Sequence, residues 1–244
     1  MKEISLGLTF DDILLRPSKS LNSRSECSIS TSLKDIELNI PIISANMDSI
    51  TESEMCLAMA GVGGLGIVHR FTDIQSQIVM ARYLDTHKVN YGMSVGIHDN
   101  KRILALLRNS NCSVFCIDIA NGYSDAVAET IKFIKTHSSN ITVIAGNVAT
   151  TEGALFLEEA GADVVKCGIG PGSLCCTRTV TGCGYPQLSA IMEISEVIHV
   201  PLIADGGMKN SGDIVKALAA GADAVMTGSL LAGTSACPKH NICR

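Results

Sequence analysis

The chain has 244 residues, of which 46% are hydrophobic, and a formal net charge of −5. Its length and apolar content predict a single domain over residues 1–244 with one large core. The acidic balance argues against nucleic acid as a partner, because a phosphate backbone requires a basic face. A charge pair stands where a secretory signal needs apolar residues, and no apolar run is long enough for a membrane helix, so we expect a soluble cytoplasmic protein.

Eight short apolar, β-branched runs recur along the chain, and a segment of helical periodicity follows each of them. In chain order they are Pro41–Met47, Gly64–His69, Met93–Ile97, Val114–Ala120, Thr142–Val148, Asp163–Ile169, Pro201–Gly207 and Asp223–Ser229. Apolar strands that alternate with helices favour a parallel sheet covered by helices, and eight such units close a barrel. The sequence therefore predicts an α/β fold, the eight-stranded parallel (β/α)8 TIM barrel.

A doubly wound open sheet is the competing architecture. It is disfavoured because no Gly-x-Gly-x-x-Gly follows the first strand with an acidic residue about twenty positions further on. The glycine-rich Gly61–Gly66 precedes a strand, which is typical of a turn between helix and strand. An internal echo supports the barrel, since Glu159–Gly168 and Ala219–Gly228 share a helix end, a glycine stop and a strand.

The residues after the eighth run are few. Leu230–Arg244 are too short for a complete closing helix and a lid. We therefore expect a barrel whose C-terminal closing segment is truncated.

The loop after the sixth run carries the clearest chemistry. Active sites of such barrels lie at the carboxyl ends of the strands, and Gly168–Arg178 follows one of these ends. Its glycines allow tight bends, and a cysteine beside a cation and backbone dipoles can serve as a thiolate nucleophile. Cys175, Cys176 and Cys183 all belong to this stretch, and composition does not choose among them.

The ten cysteines of the chain are interpreted as reduced thiols, because no secretion signal accompanies them. A structural zinc site is not expected, because no Cys-x-x-Cys pair occurs and the pair Cys112 and Cys116 straddles a strand start. Most cysteines are small buried fillers. We assign that role to Cys27, Cys56, Cys112, Cys116 and Cys167.

Two glycine turns predict a phosphate site. Asp205-Gly206-Gly207 follows the seventh run and Gly228-Ser229 follows the eighth, the place where barrels commonly bind phosphate. Backbone N–H groups at such turns supply positive potential even in an acidic protein. The alternative, ordinary turns between strand and helix, stays open on composition alone.

Five segments together carry a family resemblance. They are Leu8–Pro17, Ala45–Asp48, Gly168–Arg178, Asp205–Gly207 and Gly228-Ser229. They resemble the signatures of the inosine-monophosphate dehydrogenase and guanosine-monophosphate reductase barrels, and the resemblance extends from about residue 5 to residue 238. It singles out Cys175 as the family's nucleophile.

The two branches of the family differ at a few of these positions. Asn121–Ser124 and Thr181–Ala190 resemble the reductase, and Arg70 to Tyr91 leaves no room for the regulatory insertion that most dehydrogenases carry. Gly228–Thr234 is closer to the dehydrogenase pattern. We favour the reductase, which implies conversion of GMP and NADPH to IMP, ammonia and NADP⁺.

The resemblance also implies roles for individual residues. Cys175 would attack purine C2, and Thr177 would relay a proton to the leaving amine. Asp205 would hold the ribose hydroxyls, Met47 would pack on the base, and the remaining nucleotide contacts would come from Ser173, Gly206, Gly207, Gly228 and Ser229. Contacts with NADPH are implied at Ser23, Arg24, Arg70, Asp118, Ile119, Ala120, Ile169 and Gly170. Potassium would bind carbonyls of Gly170, Gly172 and Cys175, with Arg178 nearby.

Three departures from the family qualify these expectations. Cys176 replaces a threonine, and Arg70 replaces the lysine of the better-known reductases. The family's mobile segment, with a glutamate that works with the threonine, has no counterpart in Pro238–Arg244. The expectations are therefore three: a homotetrameric reductase, a dehydrogenase, or a shortened barrel that binds nucleotide without turning it over.

Overall fold

The computed structural model describes residues 6–19, 23 and 26–238. Ten strands are present among these residues: a hairpin of β1 (Thr31–Leu33) and β2 (Ile36–Leu38), followed by β3 (Ile42–Ser44), β4 (Leu65–Val68), β5 (Tyr91–Val95), β6 (Val114–Asp118), β7 (Thr142–Val148), β8 (Val164–Cys167), β9 (Leu202–Asp205) and β10 (Ala224–Thr227). Strands β3 to β10 form one closed, parallel barrel in the order β10-β3-β4-β5-β6-β7-β8-β9. The predicted TIM barrel is confirmed, and the open doubly wound sheet is excluded.

Helices connect the strands on the outside of the barrel. They are α1 (Ser53–Gly61), α2 (Ile74–His87), α3 (Asn100–Asn109), α4 (Asp125–His137), α5 (Thr151–Glu159), α6 (Thr177–Thr181), α7 (Gln187–Ser195) and α8 (Ser211–Ala219), and a short 3-10 helix lies at Phe10–Asp12. None of the helices in the described part of the chain is long and apolar enough to cross a membrane.

Seven of the eight predicted runs contain a barrel strand, and the eighth, Met93–Ile97, overlaps β5, which begins two residues earlier at Tyr91. The repeated helix, glycine and strand pattern is also confirmed. Gly161 and Gly221 follow α5 and α8 with φ of 99° and 112°, a left-handed conformation that favours glycine and stops a helix. The glycine-rich segment ending at Gly66 joins α1 to β4, as predicted.

The β1-β2 hairpin was not predicted, and it fills the amino-terminal end of the barrel. Leu33, Ile36 and Leu38 are buried together with the inward-facing residues of the barrel strands, such as Ile43 and Val164. A barrel of eight strands has an interior just wide enough for side chains to fill. The hairpin therefore closes the apolar interior on the side opposite the strand carboxyl ends.

An ion cluster fastens this hairpin to the barrel wall. Asp163, directly before β8, pairs with Lys34 Nζ at 2.8 Å and with Lys135 Nζ, and it accepts the Val143 N–H at 2.7 Å. Burial alone would raise the pKa of Asp163, but the hydrogen bonds from the two lysines and from Val143 lower it below its ordinary value. The hairpin turn is thus tied to two neighbouring units of the barrel.

The residues after β10 contain no helix up to Pro238, the last residue that the structure describes here. They form turns that pack Leu231 and Cys237 against the buried Ile50, Met55 and Met59. Strand β10 is covered nevertheless, because all four of its residues are buried. This segment also borders the cavity described below.

We predict that the hairpin plug contributes strongly to stability. Leu33→Ala removes a side chain that is 0% exposed and should lower the free energy of unfolding by about 2–5 kcal/mol. Leu14→Ala, the same substitution at an 87% exposed position, should change it by less than about 0.5 kcal/mol. Urea denaturation followed by circular dichroism measures both, and equal effects would contradict the role of the plug.

Candidate active site

A cavity of about 840 Å³ opens at the carboxyl ends of the barrel strands. Its walls come mainly from the ends of β3, β8, β9 and β10 and the residues that follow them, with single contributions from β6, β7 and the segment after β4. Residues 45–50, 71, 118, 147, 168, 170–175, 205–208, 227–229, 232–235, 237 and 238 line it. The closed barrel brings residues from distant parts of the chain together at this rim, as expected for a TIM-barrel active site.

Two glycines shape the loop after β8. Gly168 has φ of 139°, and a Cβ atom there would lie 2.2 Å from the Asp205 carbonyl oxygen. Gly170 has φ of 85°, and a Cβ atom there would lie 2.4 Å from Arg178 Cγ. Both positions therefore require glycine, because a side chain would collide and the backbone is left-handed. The bends turn the loop back over the cavity, where the Cys175 N–H donates to the Gly172 carbonyl at 3.0 Å.

The loop distinguishes its three cysteines by position. Cys175, Cys176 and Cys183 are all exposed, but of the three only Cys175 lines the cavity. Its thiol donates to Thr177 Oγ1 at 3.2 Å. The structure thus places a cavity-lining thiol and a hydroxyl within hydrogen-bond reach, the arrangement that nucleophilic catalysis with a proton relay requires.

The other end of the loop is braced against α7. Arg178 packs beside Gly170 and donates through Nη2 to the Tyr185 carbonyl at 2.9 Å. The Tyr185 hydroxyl donates to Glu193 at 3.0 Å, and this hydrogen bond raises the pKa of Tyr185. The segment that carries Cys175 and Thr177 is therefore held at both of its ends.

Four of the five cysteines interpreted as fillers are buried. Burial raises the pKa of Cys112, Cys116 and Cys167 to about 12, and it also raises the pKa of Cys56. These thiols stay protonated near neutral pH. The prediction was wrong for Cys27, which is exposed because its segment lies outside the hydrophobic core.

The two predicted phosphate turns meet the cysteine loop at the cavity. Gly206 and Gly207 have φ of 83° and 87°, and a Cβ atom on Gly206 would lie 3.1 Å from the Gly172 nitrogen. Gly228 lies against Met47, whose Sδ is 3.3 Å from the position of a Cβ atom on Gly228. The turns and the loop after β3 are therefore packed closely enough to present backbone groups to one ligand.

A fully buried lysine forms the floor beneath these loops. Lys166 Nζ donates to Asp118 Oδ1 at 2.6 Å, to Asp205 Oδ2 at 2.8 Å and to Asn147 Oδ1. Asn147 Nδ2 donates in turn to Asp205 Oδ2 at 2.8 Å and to the Gly168 carbonyl at 2.7 Å. Asp118, Asn147 and Asp205 all face the cavity.

The remaining residues implied by the resemblance are less concentrated. Asp118 and Gly170 line the cavity, whereas Ile119, Ala120, Ile169 and Arg70 do not. Arg70 lies over the Phe71 ring at 5.1 Å, and its Nε is buried without a hydrogen-bond partner among the described residues. Ser23 is exposed, and its N–H donates to Glu26 at 3.3 Å. Arg24 lies outside the described residues.

Sequence reasoning missed Lys166 and Asn147. Lys166 could have been found from the sequence, because it is a charged residue inside the otherwise apolar run Val164–Cys167. A lysine that is buried needs a carboxylate partner. Asn147 lies in the predicted strand Thr142–Val148, and a single amide side chain there does not indicate which residues it would hydrogen-bond. The hydrogen-bond partners of Lys166 and Asn147 lie on or directly after other strands. The network therefore forms only when the barrel closes.

Comparison with known proteins agrees with this geometry. A sequence model described as IMP dehydrogenase / GMP reductase domain matches residues 7–244. Among curated relatives, the inosine-5'-monophosphate dehydrogenases of Borreliella burgdorferi and Cryptosporidium parvum are 38% and 39% identical, over 97% of this chain and 72% and 70% of theirs. The GMP reductase of Phytophthora infestans is 38% identical over 95% of this chain and 67% of its own length. The chain thus belongs to the IMP dehydrogenase / GMP reductase family, oxidoreductases of purine nucleotides that use a nicotinamide cofactor.

Proposed function

We propose that the chain catalyses the NADPH-dependent reductive deamination of GMP to IMP, with Cys175 as the nucleophile. The observation that carries the proposal is the hydrogen bond of 3.2 Å between Cys175 Sγ and Thr177 Oγ1 at the wall of the cavity. A thiol and a hydroxyl in this position suit covalent catalysis at an electrophilic carbon.

The nucleotide would occupy the cavity between the β8 loop and the turns after β9 and β10. Ser173, Gly228 and Ser229 would bind the phosphate, with Gly206 and Gly207 beside it, since hydroxyl groups and glycine N–H groups suit an anion. Asp205 would accept hydrogen bonds from the ribose hydroxyls. Met47 would pack against the base and direct purine C2 toward Cys175.

The reaction divides a difficult displacement at an aromatic carbon into two steps. The Cys175 sulfur forms a bond to C2 and the C2–N bond breaks, with Thr177 delivering a proton to the departing ammonia. A hydride then joins C2, and the carbon–sulfur bond breaks to release IMP and the thiolate. The balanced reaction is GMP, NADPH and one proton giving IMP, ammonia and NADP⁺.

The residues on the Asp118 side fit a nicotinamide dinucleotide. The Asp118 carboxylate faces the cavity, and the orphaned Nε of Arg70 is a donor without an acceptor among the described residues. A ribose diol and a phosphate are the groups that such residues bind. When bound there, NADPH supplies the hydride; Ser23, Ile119, Ala120, Ile169, Gly170 and, beyond the described residues, Arg24 remain proposed contacts from the family resemblance.

The donor set of the cysteine loop also fits potassium. Carbonyl oxygens are hard donors that suit such a cation, and the left-handed Gly170 exposes the backbone of the loop. Gly170, Gly172 and Cys175 would hold the ion through their carbonyls, and it would stiffen the loop that carries the thiol. The Arg178 side chain, which donates to Tyr185, would brace the loop nearby. A homotetramer and a cytoplasmic location complete the proposal by resemblance.

The choice of reductase rests on Asn121–Ser124 and Thr181–Ala190 and on the direct connection of β4 to β5 through α2. IMP dehydrogenase is the second candidate. Gly228–Thr234 favours it, and relatives named IMP dehydrogenase are as similar to this chain as the relative named GMP reductase. In that reaction the same thiol would attack C2 of IMP, and NAD would accept the hydride.

We predict that GMP will drive the oxidation of NADPH, which is measured as a loss of absorbance at 340 nm. The same assay with IMP and NAD⁺ tests the dehydrogenase, and turnover in that combination alone would overturn the reductase. If no combination of nucleotide and cofactor gives turnover but GMP or IMP still raises the melting temperature, the chain is a barrel that binds nucleotide without turning it over.

We predict that Cys175→Ser lowers kcat by at least about a thousandfold, because the covalent step is lost. Cys176→Thr and Cys183→Ser are matched controls in the same loop and should stay within a few fold of the unsubstituted chain. Loss of activity in Cys183→Ser but not in Cys175→Ser would contradict the assignment of Cys175 as the nucleophile. Melting temperatures of all three variants verify that they are folded.

We predict that Ser229→Ala raises KM for GMP by roughly tenfold or more with little change in kcat, since a hydrogen bond to a charged group contributes about 1.5–3 kcal/mol. Ser139→Ala, in an exposed turn after α4 at the opposite end of the barrel, should leave KM unchanged. Equal KM values for both variants would contradict a phosphate site at this turn.

We predict that activity depends on potassium. Exchange of potassium chloride for lithium chloride at constant ionic strength should reduce kcat severalfold, because a smaller cation leaves the carbonyl oxygens of the loop poorly coordinated. Steady-state rates in the two salts measure the effect. Indistinguishable rates would argue against an ion on Gly170, Gly172 and Cys175.

A further inference from the structure

Lys166 is the feature of the barrel interior that the proposed reaction does not yet use. Its side chain is 0% exposed, and its ammonium group contacts two carboxylates and one amide oxygen. A lysine of this kind costs free energy to bury unless its partners compensate for the lost water. The contacts with Asp118, Asn147 and Asp205 provide that compensation.

The partners of Lys166 come from three different strands. Asp118 ends β6, Asn147 lies near the end of β7, and Asp205 ends β9. The proposed function assigns Asp118 to the cofactor and Asp205 to the ribose of the nucleotide. One ammonium group thus joins the two halves of the ligand cavity.

Without Lys166, the negative charges of the Asp118 and Asp205 carboxylates would not be balanced by a cation in contact with both. Burial alone would lower the pKa of Lys166, but Asp118 and Asp205 outweigh it and raise the pKa. Burial would likewise raise the pKa of Asp118, but Lys166, a hydrogen bond from Asn46 and the charge of Arg70 lower it. Two further titratable groups near Lys166 within the described part of the chain are Cys116 and Cys167, and both thiols are buried and protonated near neutral pH.

We propose that Lys166 is a positioning residue that keeps the Asp118 carboxylate ionised and holds both Asp118 and Asp205 toward two ribose diols, so that ligand binding is insensitive to pH. The inference rests on the proposed function. The two ribose diols come from that proposal, and ionised carboxylates suit them, because a carboxylate accepts two hydrogen bonds and a vicinal diol donates two.

Removal of the ammonium group leaves two half-buried carboxylates beside each other at the cavity. Like charges in this arrangement raise the pKa of one carboxyl group strongly. The protonated group then loses a charge-assisted hydrogen bond to ribose. The affinity for GMP or for NADPH should therefore fall as the pH falls, which an effect on packing alone would not produce.

Isothermal titration calorimetry with GMP and, separately, with NADPH, from pH 6 to pH 8, tests this inference, because the two ligands report on Asp205 and Asp118 respectively. The variants are Lys166→Gln, Lys166→Arg and the control Lys34→Gln, which removes a lysine that also contacts two aspartates but at the opposite end of the barrel. Phosphate itself titrates near pH 6, so the readout is the Kd of each variant divided by that of the unsubstituted chain at the same pH.

For at least one of the two ligands, the Kd ratio of Lys166→Gln should rise by about tenfold between pH 8 and pH 6, since each unit of raised pKa corresponds to a tenfold change. The ratio of Lys166→Arg should exceed 1 and stay flat, and that of Lys34→Gln should stay near 1. Flat ratios of Lys166→Gln for both ligands would overturn the inference alone. Absence of nucleotide binding by the unsubstituted chain would overturn the proposed function and this inference with it.

If Lys166→Gln does not fold, carbon-13 NMR of aspartate carboxyl groups in the unsubstituted chain decides the question. Asp118→Asn identifies the Asp118 signal. That signal should not titrate between pH 6 and pH 8, although burial favours the protonated acid. A midpoint within that range would overturn the inference.

Discussion

Closure of the barrel is the constraint on which the rest of the structure depends. Strand β10 pairs with β3 in parallel, with Val225 beside Ile42 and Thr227 beside Ser44. If the sheet were open between β10 and β3, these two strands would lie at its opposite edges. Closure instead brings Met47, which follows β3, against Gly228, which follows β10, and one cavity results.

The two ends of the barrel interior are filled by opposite chemistry. At the amino-terminal end, Leu33, Ile36 and Leu38 of the hairpin continue the apolar core. At the carboxyl end, Lys166 and its acidic partners replace apolar side chains just below the cavity. Buried charges are tolerated only when they are paired, so the polar layer is both a structural unit and a rigid support for the carboxylates that face the cavity.

The reactive loop depends on backbone geometry more than on side-chain packing. Gly168 and Gly170 adopt left-handed conformations at places where a Cβ atom would collide with Asp205 or Arg178. These bends carry Cys175 from the end of a buried strand to the cavity wall. The exposed thiol therefore sits on a loop that the barrel and α7 hold from both sides, which preorganises it without burying it.

The sequence by itself determined the eight strands, the parallel class and the glycine turns, because apolar periodicity and glycine punctuation are local properties. It also placed Cys175 in its loop, although only the resemblance separated it from Cys176 and Cys183. The tertiary structure decided which thiol faces the cavity, the exposure of Cys27, the hairpin plug and the partners of Lys166. These depend on contacts between residues far apart in the chain, which form only when the barrel closes.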